Sequence, residues 1–312
     1  MYFPSCSGEV KESTLAMSAF RDIYVTSADG LRLHARAIGP VDSPALPVLG
    51  LPGLTRTAED FDIVAQALAN DPQTPRPVVA IDYRGRGESD FDPNPANYTV
   101  PIEATDVLTL AAAAGISRAI WLGTSRGGLI SMVIAATRPE FIAGIILNDI
   151  GPELDIKGLM KIKGYLAPPV APQTWDEAAR GLQRLFRNAF PALTKEDWLV
   201  WAHRAFRQDG DGKLIRTYDP ALARTFDAIS LETPPAPLWE LFDQIAQVPL
   251  LSIRGELSDL LSRACVAEMK RRRRSMETCD VPLQGHAPLL ADALMVERIK
   301  AFCRRCDSAD GS

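Results

Sequence analysis

In the stretch WLGTSRGGLISM, residues 121–132, Ser125 has Gly123 two residues before it and Gly127 two residues after. A serine hydroxyl is a weak nucleophile near neutral pH. It needs a base of pKa near 7 that is itself held by a third group. The Gly-x-Ser-x-Gly spacing arises by chance in roughly one chain of this length in ten, so context must decide. Upstream, RAIWLG reads as a short buried strand. Downstream, Leu129, Met132, Val133 and Ala136 recur at helical spacing until Pro139 stops the run. A strand-to-helix turn this sharp strains its central residue and tolerates almost no side chain two positions away. Such a turn would raise the Ser125 hydroxyl at a helix N-terminus. The competing account is a glycine-rich turn with a capping serine, and partners distinguish the two.

The chain holds three histidines, so elimination is possible. His34 alternates with Leu31, Leu33 and Ala35 and points off the core face of its strand. His203 lies in WAHRAF, far from any strand pattern. His286 lies in PLQGHAPLL, directly after the last strand-like run. Chemistry in parallel α/β sheets collects at strand ends, which makes His286 the expected base.

The orienting acid should follow another strand end. LLSIRGELSDLLS supplies Glu256 and Asp259, and ILNDIGPE supplies Asp149. Asp259 is the expected acid and Asp149 the alternative; either would fix the histidine tautomer and stabilise its imidazolium. A tetrahedral oxyanion then needs two backbone donors. The N–H of Arg126, just after Ser125, is one. The N–H of Leu54, beyond the Pro52-Gly53 turn, is the other.

These residues need a scaffold. FRDIYVTSADGLRLHARAIG reads as a hairpin turning at Ala28-Asp29-Gly30. Strand-like and helix-like runs then alternate to ILNDI, which implies α/β architecture: a mostly parallel sheet flanked by helices. The rhythm breaks after Pro152 and resumes with LWELFDQIA, the strand VPLLSIRG, a helix near 262–274, the strand METCDVPL and a last helix. Residues 20–152 and 237–312 are therefore read as one core. Residues 153–236, with proline-rich edges, are a mainly helical insertion. Trp175, Trp198 and Trp201 either line a pocket or form the insertion's own core. Residues 1–19 read as a loosely ordered tail in which Met17 is an alternative start.

Composition excludes several functions. The chain has 312 residues, 46% hydrophobic and 23% charged, with net charge −5. An acidic balance gives no reason to expect a nucleic-acid partner. The one basic run, Lys270 to Arg274, reads as a solvated helix C-terminus. No apolar run approaches a membrane span, and the N-terminus lacks a basic region followed by an apolar one. With five cysteines, an odd number, reduced thiols in a cytoplasmic protein are expected. Cys303 and Cys306 lie inside a helical pattern with no second pair, so no metal is expected. RGRGESD lacks the third glycine of a dinucleotide loop, so no cofactor is expected either.

The order Ser125, Asp259, His286 resembles the serine–acid–histidine order of the α/β-hydrolase fold superfamily. GTSRGG, DYRGRGESD, RGELSD and GHAP resemble its landmarks over roughly residues 20–305. The resemblance implies that the insertion is a cap over the nucleophile. It also implies hydrolysis of a small-molecule carboxylic ester or lactone through an acyl-enzyme, by a monomer or homodimer. Two further readings remain: C–C bond hydrolysis of a diketone-type substrate, with Arg204 or Arg207 holding a carboxylate, and a non-catalytic ligand receptor. Pro52 and Arg126 depart from the family pattern. The Arg126 side chain would either enter the pocket or pair with a carboxylate away from it.

Overall fold

The computed structural model describes residues 19–166, 171–245 and 247–311. The expectations placed on residues 1–18, Met17 included, lie outside these. The chain opens with strands β1 (Arg21–Thr26) and β2 (Arg32–Ile38), an antiparallel hairpin turning through Gly30 at φ 91°. There follow β3 (Val48–Leu51), α1 (Asp62–Ala69), β4 (Val78–Asp82), α2 (Val100–Ala113), β5 (Ala119–Thr124), α3 (Arg126–Thr137) and β6 (Ile142–Asn148). Between β6 and the next core helix the chain builds α4 (Ile156–Leu166), α5 (Trp175–Phe186), α6 (Lys195–Ala205) and a small antiparallel pair, β7 (Phe206–Gln208) and β8 (Leu214–Arg216). The core resumes with α7 (Trp239–Asp243), β9 (Leu250–Gly255), α8 (Arg263–Arg272), β10 (Glu277–Val281) and α9 (Ala293–Asp310).

Eight strands form one sheet in the order β1-β2-β4-β3-β5-β6-β9-β10. β2 runs antiparallel to both neighbours, and all remaining pairs are parallel. Both faces are covered, as a parallel sheet requires. Along β5, Ile120 and Leu122 pack in the cluster with α1 and α9, while Trp121 points to the opposite cluster with α2 and α3. The Trp121 indole N–H donates to the Phe141 carbonyl at 3.0 Å, so the largest core side chain leaves no polar atom unpaired.

Three details depart from the sequence reading. The β7–β8 hairpin sits where only helices were expected. Asp209 closes it locally: its amide donates to the Lys213 carbonyl and its carbonyl accepts from Gly212, which is at φ 77°. The basic run is not wholly solvated, because Arg273 turns inward and donates to the carbonyls of Ile245 and Val248. His34 does leave its strand's apolar face, yet it is buried on the other side, with Nδ1 2.7 Å from Asp82 and Nε2 3.1 Å from Asp22. Cys303 and Cys306 are buried along α9 against β6, and burial pushes the Cys303 thiol up to about 12. Among the described residues no helix is long and apolar enough to cross a membrane.

α9 approaches β6 where Gly144 has no side chain. A Cβ there would lie 2.4 Å from the Cys306 sulfur. Gly144→Ala is therefore expected to destabilise the protein by about 1–3 kcal/mol, read as a lower urea midpoint. Adding Cys306→Ala should recover part of the loss. An unchanged midpoint in the single variant contradicts this packing.

Candidate active site

Ser125 links β5 to α3 with φ 50° and ψ −110°, a conformation that L-residues adopt only under constraint. The glycines flanking it are sterically required. A Cβ on Gly127 would lie 2.1 Å from the Leu51 carbonyl oxygen, and one on Gly123 would lie 2.6 Å from the Gly127 backbone. The Ser125 amide donates to the Asn148 carbonyl of β6 at 3.0 Å, and its carbonyl accepts from Gly128 and Leu129 in the first turn of α3. The turn is thus bonded into both the sheet and the helix.

His286 reaches Ser125 from the loop after β10. Its Nε2 lies 2.9 Å from the serine Oγ and its Nδ1 lies 2.8 Å from Asp149 Oδ2. A carboxylate can only accept, so Nδ1 carries the proton and Nε2 presents its lone pair to the hydroxyl. The other histidines stay away from Ser125: His34 is held by Asp82 and Asp22, and exposed His203 stacks on Trp175 with ring centroids 3.9 Å apart.

The carboxylate that meets His286 is that of Asp149, which corrects the expectation that Asp259 would stand there. β6 and β9 are parallel neighbours, and the Asp149 amide donates to the Ile253 carbonyl at 2.7 Å. At φ 55° the residue turns its carboxylate beneath the loop that follows β9. There Oδ1 accepts from the Gly255 amide at 2.7 Å, and Oδ2 accepts from the Ser258 hydroxyl at 2.6 Å as well as from His286. A fully buried charge is tolerable only with donors of this kind. The loop after β9 therefore supplies donors to the carboxylate of β6. Asp259 in that same loop is taken up elsewhere. Its backbone presses on Gly158 of α4, where a Cβ would sit 2.4 Å from the Asp259 carbonyl oxygen. One turn along α4, Lys161 binds the Asp259 carboxylate at 2.6 Å on the surface.

Leu54 and Arg126 flank the same hydroxyl. The 52–54 turn lies against Ser125, since a Cβ on Gly53 would be 3.9 Å from the serine Cβ. Among the described residues neither the Leu54 nor the Arg126 amide has an acceptor. Pro52, the departure at this turn, accepts through its carbonyl from the Gly127 amide and the Tyr83 hydroxyl. The Arg126 side chain turns away from the hydroxyl to Glu103 at 2.6 Å and the Tyr98 carbonyl at 3.2 Å. Glu103 is fully buried and also binds Arg86 at 2.7 Å, and Arg86 donates to the Leu54 carbonyl at 2.8 Å. Burial alone would raise the Glu103 pKa. The Arg86 and Arg126 guanidiniums outweigh that and hold it below the ordinary carboxylate value. One buried carboxylate thereby braces Arg126 directly and Leu54 through Arg86.

Above Ser125 and His286 lies a cavity of about 560 Å³, walled by the Leu54 turn and by α4, α5, α6 and the β7–β8 hairpin. Trp198 and Trp201 share a helix face, with centroids 5.4 Å apart at 10°. Trp201 lines the cavity, with Arg56 over its ring at 4.8 Å, while Trp198 is buried in the insertion's own core. Arg204 also lines the cavity; Arg207 does not, and pairs with Glu88 at 3.2 Å. Glu103 and Ser258 carry no motif, and their partners are distant in sequence, so spacing alone does not single them out.

A family model described as the alpha/beta hydrolase fold matches residues 47–200. A 3-hydroxybutyrate-oligomer hydrolase of Cupriavidus necator is 36% identical over 272 residues, covering 85% of this chain and 91% of that protein. The chain belongs to the α/β-hydrolase fold family. A solved α/β hydrolase from Novosphingobium aromaticivorans superposes on this α/β hydrolase with TM-score 0.84 and 40% identity, over 93% of this chain and 100% of that one. A 2-(acetamidomethylene)succinate hydrolase of Mesorhizobium japonicum is 23% identical over 67% of this chain and 71% of that protein. The relatives named by activity here are hydrolases.

The two aspartates make opposite demands on experiment. Asp149→Asn should lower kcat by on the order of 10⁴, because the amide favours the wrong histidine tautomer. Asp259→Asn should keep near wild-type kcat and change stability by less than about 1 kcal/mol, because it breaks only an exposed ion pair. A large kcat loss confined to Asp259→Asn contradicts the assignment.

Proposed function

We propose that the protein is a serine esterase that cleaves short hydroxyacyl esters by way of an acyl-enzyme. The observation that carries this reading is the unbroken relay from Ser125 through His286 to buried Asp149 at the floor of the cavity. Ser125 Oγ attacks the ester carbonyl while His286 Nε2 takes its proton. Asp149 holds the ring and stabilises the imidazolium that forms. The carbonyl oxygen, now negative, accepts from the Leu54 and Arg126 amides, a reading supported by neither amide having an acceptor among the described residues. Collapse of the tetrahedral intermediate expels the alcohol with the proton from His286. Water, activated by the same imidazole, then releases the acid.

The insertion acts as the cap that selects the substrate. Its cavity wall is apolar around Trp201, Phe186 and Leu182, yet it carries several arginines. That mixture suits a short chain with an anionic end better than a long neutral acyl chain. The Cupriavidus relative supports the same class, since a 3-hydroxybutyrate oligomer is a chain of short esters ending in a carboxylate.

A linear 3-hydroxybutyrate trimer should be hydrolysed to shorter acids with kcat/KM above that of p-nitrophenyl octanoate. Ser125→Ala should lose on the order of 10⁵-fold or more in kcat on the trimer. Wild-type turnover of long neutral esters with none of the trimer would overturn the substrate class. Full activity in Ser125→Ala would overturn the mechanism.

A further inference from the structure

We propose that Arg216 forms a subsite that binds the free carboxylate of the substrate while its ester carbonyl rests against Ser125. This inference rests on the esterase reading and names the group that would select the substrate.

The net charge of the chain is −5, but the cavity wall has the opposite balance. It holds Arg56, Arg184, Arg204 and Arg216 against Asp60 and Glu177. The four cations are not equivalent. Arg56 is satisfied by a bidentate pair with Asp60 at 2.5 and 2.7 Å. Arg184 is exposed at the rim. Arg204 has no ion pair among the described residues, but its charge acts on Glu59 and Asp62, which themselves pair with Arg36. Arg216 has no carboxylate partner among the described residues. Its guanidinium lies over the rings of Tyr218 at 5.3 Å and Phe206 at 5.8 Å, and it donates to the Tyr218 hydroxyl.

A guanidinium has five N–H donors, and stacking on rings leaves its edge free for a planar, two-oxygen acceptor. The apolar faces of Phe206 and Tyr218 exclude water from one side, which strengthens a charge-assisted bond at the other. The position is also rigid. Phe206 and Arg216 are paired across the β7–β8 ladder, and Tyr218 forms a backbone bridge with Arg86, the residue that holds Leu54. The proposed subsite is thus connected through Arg86 to the turn beside the reacting carbonyl.

The test compares the trimer acid with its methyl ester in the wild type, Arg216→Gln, Arg216→Lys and Arg204→Gln. Wild type should prefer the free acid. Arg216→Gln should lower the acid-to-ester ratio of kcat/KM by roughly ten- to a hundredfold, through KM on the acid. Arg216→Lys should restore part of the ratio, and Arg204→Gln should change it much less. An unchanged ratio in Arg216→Gln, or a ratio that collapses in Arg204→Gln instead, overturns the assignment. Equal wild-type rates on acid and methyl ester overturn the subsite while leaving the esterase reading intact. Wild-type failure on both refutes the esterase reading and the subsite with it.

Discussion

The strained backbone at Ser125 is the constraint on which the other features of the site depend. Holding a serine at φ 50° and ψ −110° costs free energy that the flanking contacts must offset. They do so by letting β3, β5 and α3 approach until Gly127 touches the Leu51 carbonyl and Gly123 touches Gly127. That closeness sets the 52–54 turn beside the hydroxyl. It also leaves the first amides of α3 pointing at the space above it, as helix N-termini do. The proposed nucleophile and its proposed backbone donors both sit at this one tight junction.

The second half of the site is an electrostatic problem solved by burial with partners. Asp149 has no exposed surface, yet it accepts from Gly255, Ser258 and His286. Glu103, equally buried, accepts from Arg86 and Arg126. Each carboxylate is fixed by donors from distant segments, so each ties separate elements together. Asp149 joins β6 to the loops after β9 and β10. Glu103 joins α2 to α3 and to the turn carrying Leu54. Losing one partner of such a cluster leaves a charge without solvent, which is costlier than losing a surface pair such as Lys161–Asp259.

Much of this was legible in the chain. Strand and helix periodicity located the parallel sheet, and the glycines around Ser125 located the turn because their absence of side chain is a local requirement. The position of His286 beside Ser125 follows from elimination and strand-end logic. Asp149 was only the alternative acid, since spacing cannot say which of two neighbouring strand ends turns inward. The deciding facts are a left-handed backbone at Asp149 and the Lys161 that captures Asp259, and both are tertiary. The one available local hint was the Asn-Asp-Ile-Gly-Pro sequence at the end of β6, where an aspartate tolerates positive φ. The β7–β8 hairpin was missed although Asp209-Gly210-Asp211-Gly212 carries a turn signal, because each strand is only three residues long. Arg216 could not be singled out, as its isolation from carboxylates exists only in three dimensions.

The central claim is that Ser125 carries the acyl group during turnover. The most direct measurement is rapid acid quench of the enzyme during hydrolysis of the trimer, followed by peptide mass mapping. The account predicts a hydroxyacyl adduct on the peptide containing Ser125, which accumulates within the first turnover and disappears as substrate is exhausted. An adduct on a different residue, or product formation with no adduct at any quench time while a fluorophosphonate leaves Ser125 unmodified, would contradict it.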